Sequence, residues 1–114
     1  MPDLVQPLII ARLKELSDYD FQNRVWLAST GPEISSFTEA VSGLFDDSGL
    51  GDALEKCTQV FSSDIDLLFR TLDKELHDIN ERRPPEAIIT DPRMARVRTI
   101  SASLLALIEK AKRE

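Results

Sequence analysis

The chain has one cysteine, one histidine, one tryptophan and one tyrosine among 114 residues. Each scarcity excludes something. Cys57 stands alone, so no internal disulfide can form, and a small domain without disulfides fits a reducing compartment. A cytoplasmic location is therefore expected. Cys57 is read as a small core side chain, because a nucleophilic thiol would need a nearby base and the sole candidate is His77. Four glycines and six prolines leave no linker-rich or fibrous segment. The longest apolar run, Leu104 to Ile108, is far short of the roughly 20 residues that a spanning helix needs. The opening Met1-Pro2-Asp3 places an acid where a secretory signal carries positive charge, and Leu8-Ile9-Ile10 is soon interrupted by Arg12 and Lys14. Neither a signal peptide nor a membrane partner is expected.

What is present suits one folded unit. Apolar residues make up 42% and charged residues 30%, a globular balance. The length is that of an ordinary single domain with one core, over residues 1–114. Apolar spacing and capping residues predict six helical stretches. The first covers about Asp3 to Leu16, with Val5, Ile9, Leu13 and Leu16 on one face. Ser17, with Asp20 three residues on, predicts the cap of a second helix that carries Phe21, Val25 and Trp26 and stops at Gly31-Pro32. A third, about Pro32 to Asp46, carries Ile34, Phe37, Val41, Leu44 and Phe45 before the loop chemistry of Asp46-Asp47-Ser48-Gly49. A short fourth is placed at about Asp52 to Thr58.

Ser63 opens the fifth helix, where Asp64 and Asp66 complement the dipole and Ile65, Leu68, Leu72, Leu76 and Ile79 recur at helical steps up to about Asn80. Arg83-Pro84-Pro85 breaks the pattern, and 86–89 is read as a single turn. Asp91-Pro92 is a cap followed by a first-position proline. It starts a last helix to about Lys112 with Met94, Val97, Ile100, Leu104, Leu107 and Ile108 inward. Ser101, Ala102, Ser103 and Ala106 are small residues on that helix, read either as a site of close helix approach or as plain surface. No period-two alternation and no internal repeat is found. The expected fold is all-α, a compact antiparallel helical bundle of about four main helices plus one or two short ones.

Charge is divided along the chain. Residues 1–81 carry six Lys/Arg and sixteen Asp/Glu, a net of −10, whereas residues 82–114 carry eight and four, a net of +4. The basic segment can neutralise acidic helices within the fold, as is usual in soluble bundles, or it can face a partner. Arg93, Arg96 and Arg98 are the interaction candidates there, since guanidinium groups bind carboxylates and phosphates bidentately. Arg24 and Trp26 are added as residue types enriched at binding hot spots, with core packing the competing reading of Trp26. An overall charge of −6 and the lack of aromatic interleaving argue against nucleic acid as a partner.

Site motifs fail at named positions. Setting Gly51 at the sixth place of a calcium loop puts Leu50 at the fifth and Cys57 at the twelfth, where oxygen ligands are required. Gly49-Leu50-Gly51 lacks the third glycine of a dinucleotide loop, because Leu54 occupies that place. No Gly-x-Ser-x-Gly elbow occurs to support a triad with His77. Asp73 and His77 share a helix face at four-residue spacing, which could serve a metal or a proton transfer, although two ligands on one helix are also a solvated acidic face. No cofactor and no catalytic residue is assigned. The expected function is a non-enzymatic protein-interaction domain, of the inhibitor or immunity kind, with an acidic face, acting on a protein partner or by self-association. The alternative is a small-ligand or metal-binding protein using carboxylates and His77.

Overall fold

The computed structural model describes residues 4–28, 34–56 and 59–113, and among these the chain is helical with no strand. Helix α1 spans Gln6–Ser17, with Pro7 in the first turn, where its fixed φ suits the helix. Ile9, Leu13 and Leu16 are buried, as their spacing predicts, while Val5 precedes the helix and is exposed. Helix α2, Tyr19–Phe21, continues as a π-helical turn over Gln22–Leu27, in which Ala28 N–H donates to Asn23 O five residues back at 3.0 Å. This turn brings Gln22, Val25 and Trp26 to the buried side together. The cap is Asp18 rather than Ser17. Asp18 is the residue with extended backbone between the helices, so its Oδ1 accepts from Phe21 N–H at 3.0 Å. Ser17 closes α1, its hydroxyl donating to Lys14 O. The expected stop at Gly31-Pro32 lies outside the described residues, as does Cys57.

Helix α3 spans Phe37–Ser42 and continues as a second π turn, Gly43–Asp47. It starts later than the pattern of Ile34 and Phe37 predicts. Ser36 has extended backbone and its Oγ accepts from Glu39 N–H at 3.1 Å, so the helix begins behind it and Ile34 stays outside, 97% exposed. Gly49 takes a φ of 83°, a left-handed conformation that glycine adopts without strain, at the end of the stretch read as a loop. Ser48 ties that loop down: its Oγ donates to Leu44 O and accepts from Leu50 N–H, and its carbonyl accepts from Val5 N–H at 2.9 Å. Helix α4, Leu50–Lys56, starts two residues before the expected Asp52, directly behind the Gly49 turn, where Ala53 N–H donates to Gly49 O at 3.0 Å; the expected end at Thr58 lies outside the described residues.

Helix α5, Ser63–His77, begins at Ser63 as predicted and is capped by Ser62, whose Oγ accepts from Ile65 N–H at 3.2 Å. Asp66 is buried, and its carboxylate accepts from Val60 N–H at 2.7 Å and Phe61 N–H at 3.0 Å, fixing the approach to the helix. Phe69 is fully buried against Phe61 at a centroid distance of 5.7 Å, a position the sequence reading left out in favour of half-buried Leu68. Helix α6 is Pro85–Ile89 and α7 is Pro92–Arg113. Asp91 caps α7 as predicted, accepting from Arg93 N–H at 2.8 Å. Met94, Val97, Leu104 and Ile108 are buried; Leu107 is 38% exposed, and Ser101 takes a fully buried place instead. Ala102, Ser103 and Ala106 are exposed. Helix α7 packs most extensively on α1 and α5, and the core also takes buried side chains from both π turns and from α3, α4 and α6.

One part of that core is polar. The Glu15 carboxylate is buried on α1, where it accepts from Trp26 Nε1–H at 2.7 Å, from Arg12 at 2.9 Å and from the Ser35 hydroxyl. Gly43 leaves room for this arrangement, because a Cβ there would collide with the Arg12 guanidinium stem. Gln22 donates to the carbonyls of Glu15 and Leu16, both at 3.0 Å, which satisfies the C-terminal end of α1.

Candidate functional site

Four arginines of the basic segment have acceptors within the fold, Arg98 half-buried and Arg83, Arg93 and Arg96 on the surface. Arg98 donates to Gln22 Oε1 at 2.9 Å and to Ile89 O at 3.3 Å, and lies over the Tyr19 ring at 4.9 Å. Its burial lowers the guanidinium below its usual pKa. Arg96 reaches Glu75 at 3.1 Å. Arg93 and Arg83 converge on the buried Asp91 carboxylate at 3.5 and 2.9 Å. Arg24 lies over the Phe21 ring at 5.4 Å. Trp26 is buried edge-on against Phe37 at 6.0 Å. Of the five candidates, Trp26 is thus a core residue, while each of the four arginines has a contact of its own within the fold.

Asp91 makes a prediction of its own. The Arg93 N–H, then the Arg93 and Arg83 charges, hold its carboxyl below the usual value, against the opposing effect of burial. A lowered folded pKa contributes stability that is full above the unfolded value and is lost as pH falls through the folded one. Asp91→Asn is expected to lower stability at neutral pH and to flatten the acid limb below about pH 4 in urea unfolding measured across pH. An acid limb with the slope of the parent would contradict the assignment.

Acidic groups collect on another part of the surface. An open cleft of about 600 Å³ lies between α4, the end of the α3 π turn and α5. Asp46, Asp52, Glu55 and Asp73 line it, against Arg70 and His77, with Phe45 and Leu54 among the apolar lining residues. The elements place these groups for local reasons. Asp46 opens the Gly49 turn, and Asp52 and Glu55 are exposed positions of α4 whose other side buries Leu50 and Ala53. Arg70 Nη2 donates to Leu54 O at 3.1 Å, which joins the two walls. Asp52 pairs with exposed Lys56 at 3.0 Å, while Asp46 and Glu55 form no ion pair among the described residues.

His77 Nδ1–H donates to Asp73 O at 2.9 Å and lies 3.1 Å from Asp73 Oδ1. The backbone carbonyl first, then the Asp73 charge, raises the imidazole above its usual pKa. The sequence placed Asp73 and His77 together, and the structure adds Asp46, Asp52, Glu55 and Arg70 from other segments.

No family model, no curated protein and no solved structure matches this chain. Its chemistry is read from the geometry alone. Among the described residues, no three His, Cys, Asp or Glu side chains group as a metal would require. No helix among them is long and apolar enough to cross a membrane. The cleft instead offers four carboxylates, mostly solvated, around an apolar strip. That surface suits a cationic side chain with an apolar stem, such as lysine or arginine.

Proposed function

We propose that this protein is a non-enzymatic interaction domain whose acidic cleft receives a basic segment of a protein partner, in the manner of an inhibitor or immunity protein. The observation that carries the reading is the convergence of Asp46, Asp52, Glu55 and Asp73 on one open cleft, while Arg83, Arg93 and Arg96 pair with carboxylates elsewhere on the fold. Pairing of Arg83 and Arg93 with Asp91, and of Arg96 with Glu75, offsets part of the basic segment's charge within the fold. The acidic pole keeps charge that can steer an oppositely charged partner and fix its register.

The test is capture from native lysate at physiological salt, with the parent protein and the Asp46→Lys, Glu55→Lys double variant compared. Both side chains are exposed, so the fold tolerates the change. The parent is expected to retain a partner that the variant loses, with affinity reduced on the order of tenfold. The same partner should dissociate as salt rises, because exposed charges are screened within roughly 8 Å at physiological ionic strength. Equal capture by both proteins would remove the cleft from the account. Protonation of His77 adds positive charge at the cleft, so capture should weaken as pH falls through its raised pKa.

A further inference from the structure

A smaller cavity of about 200 Å³ lies between the π turn that follows α2, the start of α3 and the link from α5 into α6. Its floor is apolar and set by the core: Trp26, Phe37 and Ile88 line it, and all three are buried. Its sides carry one group of each charge, Glu81 and Arg83. Those two do not pair with each other. Arg83 Nη1 donates to the buried Asp91 carboxylate at 2.9 Å, and the Arg93 guanidinium shares that carboxylate at 3.5 Å. The Nε and Nη2 donors of Arg83 have no partner among the described residues. Glu81 forms no ion pair among them either, and its contact with the Thr38 hydroxyl is long, at 3.5 Å. Ser36 Oγ, also on the wall, accepts from Glu39 N–H and keeps its own hydrogen to donate.

Two opposite charges on one small cavity, not joined to each other, select a ligand that carries both. A carboxylate takes the open Nε/Nη2 edge of Arg83 bidentately, with the Ser36 hydroxyl as a further donor. An ammonium sits against Glu81, and a short apolar side chain covers the floor. A ligand with a single charge brings that charge near a group of its own sign, which disfavours it. The volume limits size, being below the roughly 300 Å³ at which pockets for drug-sized ligands begin. We infer that this cavity binds a free α-amino acid with an apolar side chain, held as a zwitterion between Arg83 and Glu81. The buried floor and the buried Asp91 behind Arg83 set the site in advance, so little ordering opposes binding. No residue of this cavity lines the acidic cleft, so the inference stands apart from the reading of that cleft.

Fluorescence of the sole tryptophan, which lines the cavity, reads the binding. The probes are L-leucine, isocaproate, which lacks the ammonium, and isoamylamine, which lacks the carboxylate. L-Leucine is expected to give a saturable change below about 10 mM, and each analogue to bind at least tenfold more weakly. Glu81→Gln is expected to weaken leucine at least tenfold and to leave isocaproate no weaker than in the parent, since the exposed glutamine still accepts from Thr38 and only the charge is lost. Arg83→Gln has the converse signature, weakening leucine at least tenfold but not isoamylamine. Asp91 keeps Arg93 as a partner in that variant, and where it does not fold, Glu81→Gln alone decides. No saturable change with leucine, equal binding of the three probes, or leucine affinity unchanged by Glu81→Gln would each overturn the inference. So would N-acetyl-leucine binding as tightly as leucine, since the occupant would then be the carboxyl terminus of a peptide.

Discussion

Replacing Glu15 with alanine is expected to destabilise the protein by about 3 kcal/mol or more, measured as loss of unfolding free energy in urea. The reason is the set of groups left behind. Trp26 Nε1 and the Ser35 hydroxyl lose their acceptor, and Arg12 loses the carboxylate that balances it. A buried donor left without a partner costs roughly 1–3 kcal/mol, and removing one member of a buried ion pair costs about 3–5 kcal/mol. Arg12 retains some solvent contact, which places the expectation at the lower end of that range. Glu15→Gln keeps an acceptor of similar size and should recover part of the loss. Tryptophan fluorescence provides a second readout, because the sole indole is held by this carboxylate. A loss below about 1 kcal/mol would mean that the polar cluster does not hold α1 to the π turn of α2.

Phe69→Ala is expected to cost about 3–5 kcal/mol, the transfer term of a buried ring plus the cavity it leaves. Phe69 is fully buried on α5 and stacks on Phe61, whose backbone N–H is itself held by Asp66. The cavity would therefore open at the junction of a helix with the loop that leads into it. Leu67, two residues away on the same helix, is the control. It is 63% exposed, and its alanine variant should change stability by less than about 0.5 kcal/mol. Similar losses at the two positions would contradict the register of α5. Thermal unfolding of the pair gives the same comparison, with the Phe69 variant melting well below the Leu67 variant.

The fold class was legible because helical periodicity is a local signal. Ile9, Leu13 and Leu16 on α1, and Met94, Val97, Leu104 and Ile108 on α7, recur at three- and four-residue steps, and all are buried. The strong local cap at Asp91-Pro92 was legible for the same reason. A cap one residue off target, Asp18 for Ser17, shows the limit of that signal. Adjacent polar residues share the chemistry of capping, and the backbone angle decides which one performs it. A sharper signal was present for α3, where Ser36 and Glu39 have the spacing of a capping box.

The sites were less legible, because they are made by tertiary placement. Nothing local marks Glu15 as buried, since its acceptor role depends on Trp26 and Ser35 from two later segments. Likewise Asp73 and His77 announce a shared face, but Asp46 and Glu55 reach the same cleft only through the turn at Gly49 and the packing of α4 on the π turn of α3. Sequence could state that the charge was divided. It could not state that Arg93 and Arg96 would pair with Asp91 and Glu75.

The account rests on the carboxylate cleft as the contact surface for a basic segment. The most direct measurement is a two-dimensional ¹H–¹⁵N NMR titration of the full chain with a short lysine- and arginine-rich peptide, repeated at raised salt. The account predicts saturable shifts confined to Asp46, Asp52, Glu55, Asp73, His77 and their neighbours, weakened by salt and absent in the Asp46→Lys, Glu55→Lys variant. Shifts spread evenly over all exposed carboxylates, or centred away from this cleft, would contradict it.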